Sequence, residues 1–195
     1  MAIVNYAERE ITCKIVYCGP GLSGKTVNLQ QIYKTVSPER RGELVSLATE
    51  TERTLFFDFL PLEIGTVQGF KLRFQLYTTP GQALYEASRK LILRGADGLV
   101  YVADSQKERL EENVRIFNAL KKELSLVGYK FEEMPFVFQY NKRDLPNISP
   151  IEELNLNLNV DGKYPYFEAI AIEGIGVMET LKGIMQLVLA KISKR

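Results

Sequence analysis

The chain has 195 residues, of which 46% are hydrophobic and 25% charged, and its formal net charge is +1. This predicts one soluble domain over 1–195, with enough chain to bury a core without disulfides or metal. The balanced charge argues against a nucleic-acid binder, and the absence of histidine removes imidazole general-base catalysis and most transition-metal sites.

Met1-Ala2-Ile3 has neither the blocks of a signal peptide nor a glycine to myristoylate. The first β-branched run, near 11–18, reads as a strand. It carries the two cysteines, Cys13 and Cys18, five positions apart. Strand geometry points them to opposite faces, so they read as separate buried thiols in a reducing compartment. The strand runs into Gly19-Pro20-Gly21-Leu22-Ser23-Gly24-Lys25-Thr26, and a helix is expected over 25–36. Strand, G-x-x-x-x-G-K-T and helix in that order form a phosphate-binding loop. Backbone N–H groups from Leu22 to Val27 would cradle phosphates, helped by the positive end of the helix. Lys25 would pair with the β- and γ-phosphates, and the Thr26 hydroxyl would ligate Mg²⁺. Gly19, Gly21 and Gly24 supply the backbone freedom. The competing reading, a glycine-rich turn opening an ordinary helix, does not require the full pattern.

The runs near 55–62 and 70–77 are joined by a segment too short for a crossover helix, containing Gly65 and Gly69. They must form an antiparallel hairpin at the sheet edge. Further strands are expected near 98–103, 135–140 and 166–171, and further helices over 106–127 and 177–193. The fold class is therefore α/β: a six-stranded sheet, parallel except for one strand, with helices on both faces. Ligands of such sheets bind beyond the carboxyl ends of the strands. Strand 135–140 ends in Asn141-Lys142-Arg143-Asp144. Asp144 is placed to accept from guanine N1–H and N2–H₂, donors that adenine lacks, and a site built on hydrogen bonds rejects a ligand without them. The Lys142 stem would lie on the base, and Asn141 would tie this loop to the phosphate loop. After the last strand, the Ala171 N–H could reach guanine O6. The C-terminal Lys191-Ile192-Ser193-Lys194-Arg195 offers no cysteine for prenylation, so a cytoplasmic protein without a lipid anchor is expected.

These three elements in this order resemble the Ras-like small GTPases, a P-loop NTPase family. The segments 20–26, Thr54-Leu55-Phe56-Phe57-Asp58-Phe59-Leu60-Pro61, Tyr77-Thr78-Thr79-Pro80-Gly81-Gln82 and Ser88-Arg89-Lys90-Leu91-Ile92-Leu93 are similar to the bacterial MglA family. Those are Ras-like regulators of cell polarity and gliding motility. The resemblance implies a Ras-like G domain, GTP/GDP and Mg²⁺ as ligands, recruitment to a cell pole, and a dimeric Roadblock-fold activating protein of the MglB type as partner. Effectors would read the switch regions and the edge strand, together with Tyr85 and Arg89.

The resemblance also assigns the chemistry. Gln82 occupies the position that orients the attacking water, and the Gly81 N–H would contact the γ-phosphate. Switch I falls in 37–55, where Thr49, Thr51 and Thr54 are candidates to cap Mg²⁺ and the γ-phosphate, and Thr54 is favoured. Arg53 matches an arginine finger held in cis, a task suited to its planar fork. Two departures stand out. Ras-like proteins usually carry S-A-K where this chain has Ile170-Ala171-Ile172, and they hold Mg²⁺ through an aspartate where this chain has Thr78. Asp58, on the hairpin partner of the strand ending at Thr78, could supply the missing charge. Two functions compete: a switch that hydrolyses GTP slowly, and a GTP- or GDP-locked scaffold without useful turnover. A P-loop kinase or ATPase is disfavoured by N-K-R-D.

Overall fold

In the computed structural model, which describes residues 2–46, 57–80 and 86–194, the sheet is built around β2 (Glu10–Cys18). β1 (Ile3–Asn5) pairs antiparallel with its first half. After α1 (Lys25–Thr35) come β3 (Val45–Ser46), β4 (Asp58–Val67), β5 (Phe70–Thr78) and α2 (Glu86–Leu93). The chain continues through β6 (Gly98–Asp104), α3 (Leu110–Leu126), β7 (Phe136–Asn141), α4 (Ile151–Leu158), β8 (Tyr166–Glu168) and α5 (Val177–Ile192). The spatial order is β3-β4-β5-β2-β6-β7-β8. β5, β2, β6, β7 and β8 run parallel, and β1, β3 and β4 are antiparallel to their neighbours.

All six expected strands are present, and two short ones extend the expected sheet. β3 pairs with β4 through Val45 and Phe59, so part of the hairpin's outer edge is covered. β4 also runs five residues further than the sequence suggested. Gly65, at φ 139°, sits at a register shift beside Glu63, a bulge inside the strand. The reversal itself is Gln68-Gly69, with φ of 51° and 82°. Two successive positive φ values mark the turn type whose twist matches a hairpin.

Every residue of β6 and β7 is buried, as expected for parallel strands covered on both faces. On one face α1 and α5 set Leu29, Ile32, Leu181, Ile184 and Val188 against Ile15, Val100 and Val137. On the other, α2, α3 and α4 bring Ile92, Phe117, Leu120 and Leu154 onto Val16, Tyr101 and Phe138. Cys13 belongs to the first core and Cys18 to the second, as strand alternation requires. Both thiols are free, and burial pushes each up to about 12, so neither is a reactive thiolate.

The long helix opens with a tight turn over Lys107–Arg109 before α3 proper begins at Leu110. α2 and α4 lie outside the expected set. α4 shows its reason in the sequence: Glu152 and Glu153 occupy its first turn and Leu154 and Leu158 its buried face. Among the described residues, no helix is long and apolar enough to cross a membrane. β2, β6 and β7 all end at one rim, and that rim carries the motifs.

Candidate functional site

The loop after β2 is wound by backbone that ordinary residues avoid. Gly19 and Gly24 have φ of 139° and 103°, and Leu22, a non-glycine, stands at 63°. A Cβ on Gly19 would strike the Val102 carbonyl, and one on Gly24 the Asn141 amide nitrogen. The loop therefore packs directly on β6 and on the N-K-R-D motif. Inside it, the Lys25 ammonium is buried and donates to the Gly19 and Pro20 carbonyls at 3.0 and 2.6 Å. Burial holds its pKa down at about 8. The Ser23 hydroxyl is also buried and has no hydrogen-bond partner among the described residues. A buried cation resting on neutral carbonyls and an orphan donor in one loop fit a polyanion such as a triphosphate.

Beside this loop, hydroxyls converge on Asp58, a carboxylate with 1% exposure. Thr26 and Thr78 donate to Oδ2 at 2.7 and 2.8 Å, and Ser46 donates to Oδ1 at 2.6 Å. The Asp58 N–H returns a bond to the Thr78 hydroxyl at 2.7 Å. Hard oxygen donors with one carboxylate suit Mg²⁺, which is commonly held by one or two carboxylates with phosphate and water oxygens. Among the described residues there is no cluster of three or more His, Cys, Asp or Glu, so a cation here would need phosphate oxygens as well.

On the base side, Asn141 bridges two loops. Its Nδ2 donates to the Ser23 carbonyl at 2.8 Å, and its Oδ1 accepts from the Ala171 N–H at 2.9 Å. Ala171 opens a short turn after β8 instead of extending the strand. Its N–H, expected to face a base, therefore already has an acceptor, and a base carbonyl would have to share it. Lys142, at φ 66°, reaches the Asp104 carboxylate at 2.6 Å. Asp144 lines a cavity of about 330 Å³ with Leu22, Val27, Lys142, Leu145 and Ala171. Deeper in, Gln139 of β7 exchanges bonds with Asn28 of α1 at 2.7 and 2.9 Å, and its Nε2 also donates to the Thr180 hydroxyl of α5 at 2.9 Å. This buried chain fixes the two motif-bearing elements relative to each other.

A model of the Ras family matches residues 14–190. The chain belongs to the Ras family. It is also 55% identical over 194 residues to "Mutual gliding-motility protein MglA" of Myxococcus xanthus (strain DK1622), covering 100% of this chain and 99% of that protein. It is a Ras-like small GTPase homologous to MglA.

Within this Ras-family site, Lys25, Thr26, Asp58 and Thr78 come together around one loop, and Asn141, Lys142, Asp144 and Ala171 around another. Arg53, Thr54, Gly81 and Gln82, with Thr49, Thr51 and Tyr85, lie outside the described residues. Arg89, which the sequence reading gave to effectors together with Tyr85, packs against α3. Its side chain is 15% exposed and forms a two-nitrogen fork on Glu123 of α3, at 2.7 to 3.2 Å, so it is turned inward. Three residues enter the site without a motif to announce them: Ser46, Asp104 and Arg109. Only Asp104 carried a signal, an acid at the carboxyl end of a buried strand.

Proposed function

We propose that this small GTPase binds Mg·GTP and GDP and hydrolyses GTP slowly, acting as a switch. The observation that carries the reading is the buried Lys25 ammonium resting on loop carbonyls beside the Thr26–Asp58–Thr78 oxygen cluster. The N–H groups of Leu22 to Val27 bind the phosphates, with Gly19, Gly21 and Gly24 allowing the close approach. Lys25 moves from its carbonyls to the β- and γ-phosphates. Thr26 and Asp58 hold the cation with Thr54, and Thr78 orients the Asp58 carboxylate. Mg²⁺ supplies neutralisation of charge on the transferring phosphoryl group. Asp144 selects guanine, Lys142 covers its face, and Asn141 with Ala171 keeps the base loops on the phosphate loop. Gln82 orients the attacking water, Gly81 donates to the γ-phosphate, and Arg53 stabilises charge in the transition state.

The likeness to a gliding-motility protein supports a role in motility; recruitment to a cell pole and stimulation by a Roadblock-type homodimer of the MglB kind belong to the same proposal. Effectors would read the switch regions and the β4 edge. A scaffold locked to its nucleotide is favoured by one observation: Thr78 brings no charge of its own. The carboxylate of Asp58, in contact with that hydroxyl, opposes it.

Single-turnover GTP hydrolysis with Mg²⁺ tests the proposal. A rate on the order of 10⁻² s⁻¹, like that of switches with arginine in cis, is expected if Arg53 and Gln82 assemble unaided. About 10⁻⁴ s⁻¹ would mean that a partner completes the site. No turnover with or without a partner would leave the scaffold. ATP competing as well as GTP would sink the guanine reading.

A further inference from the structure

Arg109 is used by none of the motifs, yet it is the one side chain that grips the outside of the phosphate loop at Gly21 among the contacts described. It ends the tight turn before α3. Its Nη2 donates to the Gly21 carbonyl at 2.9 Å, and its Nη1 lies 2.6 Å from Glu112 Oε2. Its Nε is 3.9 Å from Asp104 Oδ2, the same oxygen that holds Lys142 at 2.6 Å. Asp104 is buried, and its other oxygen accepts the Gln106 N–H at 3.1 Å. One carboxylate thus stands between the lysine of the base motif and the arginine that grips the phosphate loop.

We infer that Arg109 is a positioning residue that aims the Leu22 N–H at the phosphates and couples the phosphate loop to the base loop through Asp104. The inference rests on the nucleotide reading of this site. In a trans peptide the C=O and the following N–H point in opposite directions. Holding the Gly21 oxygen from outside therefore fixes the direction of the Leu22 N–H. The hold matters here because Leu22 adopts a left-handed φ of 63°, which a leucine disfavours. The bond is charge-assisted, and it polarises the same peptide toward a better donor. The guanidinium fork is what allows one side chain to serve Gly21 and Glu112 together while facing Asp104.

The test follows release of a fluorescent GDP analogue from the full chain, together with the ³¹P resonance of the bound β-phosphate. Arg109→Ala is expected to speed release about tenfold, the scale of a lost charged hydrogen bond, and to move the β-phosphate resonance. Arg109→Lys keeps the charge without the fork and should recover part of the effect. Arg115→Ala removes the other basic neighbour of Glu112, 3.7 Å away, and should change neither. Asp104→Asn should also speed release, and the double variant should fall short of the product of the two singles, because both act through one chain of contacts. Wild-type release and an unmoved resonance in Arg109→Ala would overturn the inference. The Leu22 amide resonance of nucleotide-free protein separates the two levels of argument. If the wild type failed to hold GDP, the nucleotide reading would fall; a shifted Leu22 amide in Arg109→Ala would still uphold the clamp, and an unshifted one would end it.

Discussion

The hydroxyl of Thr26 donates to Asp58 at 2.7 Å across 32 residues of sequence, joining the first turn of α1 to the first residue of the edge hairpin. Thr78, on the facing strand, donates to the same carboxylate oxygen at 2.8 Å. The charge absent at position 78 is therefore present one strand away. Asp58→Asn keeps an acceptor and removes the charge. The Mg²⁺ concentration that retains nucleotide should rise at least about tenfold, as for loss of a charged interaction. Nucleotide release measured across a Mg²⁺ titration checks this, and an unchanged midpoint would remove Asp58 from the metal site. Asp58→Ala should also destabilise the fold, because three hydroxyls lose their acceptor.

Lys25 makes the binding depend on pH in a definite direction. In the free protein burial brings its pKa down to about 8 from 10.5. Between those values the unfolded chain holds a proton that the folded chain has lost, so this group makes the empty protein more stable as pH rises. Phosphate oxygens favour the charged ammonium and raise the pKa in the complex. Affinity is thus fully present below about pH 8 and falls as pH rises beyond it. Binding at pH 9 should take up a proton, visible as a calorimetric enthalpy that changes with the ionisation enthalpy of the buffer. Equal enthalpies in all buffers would contradict this.

Gly183 lies in the middle of α5, where helix propensity alone would favour alanine by about 1 kcal/mol. The ring of Phe167 from β8 occupies the space that a side chain would need, and a Cβ would meet Cε2 at 2.7 Å. Overpacking of this kind costs about 1–3 kcal/mol, so Gly183→Ala should be a net loss despite its better propensity. Urea unfolding with Gly183→Ala and Phe167→Leu/Gly183→Ala separates the terms. The double variant should regain part of what the single loses, and a stabilised single variant would show that the ring moves freely.

Contiguous chemistry was legible in the sequence. G-P-G-L-S-G-K-T and N-K-R-D each gather their chemical groups within a few residues of sequence, and Asp58 could be placed because a short hairpin fixes its register with the strand ending at Thr78. Contacts between distant elements were not legible. Ser46 meets Asp58 only because β3 pairs with β4, and Arg109 meets Gly21 only because α3 starts beside the phosphate loop. Gly65 looked like part of a turn, since a bulge and a turn use the same residue. The Ala171 N–H looked available because nothing in the sequence shows that Asn141 would turn its oxygen toward it.

Arg89 and Glu123 give the last prediction. Their side chains are 15% and 7% exposed and form a fork-like pair between α2 and α3. Breaking a buried ion pair by removing one member typically costs about 3 kcal/mol or more. Arg89→Met and Glu123→Leu should each be strongly destabilising in urea unfolding. Together they exchange the pair for apolar side chains, and the double variant should recover much of the loss, since a buried pair is often replaceable by hydrophobic contact. α2 directly follows the segment containing Gln82, so the double variant also separates stability from switching. If the pair serves only to anchor α2, GTP turnover in the double variant should match wild type. Turnover that stays low after stability returns would mean that the charge pair itself sets the position of the segment before α2.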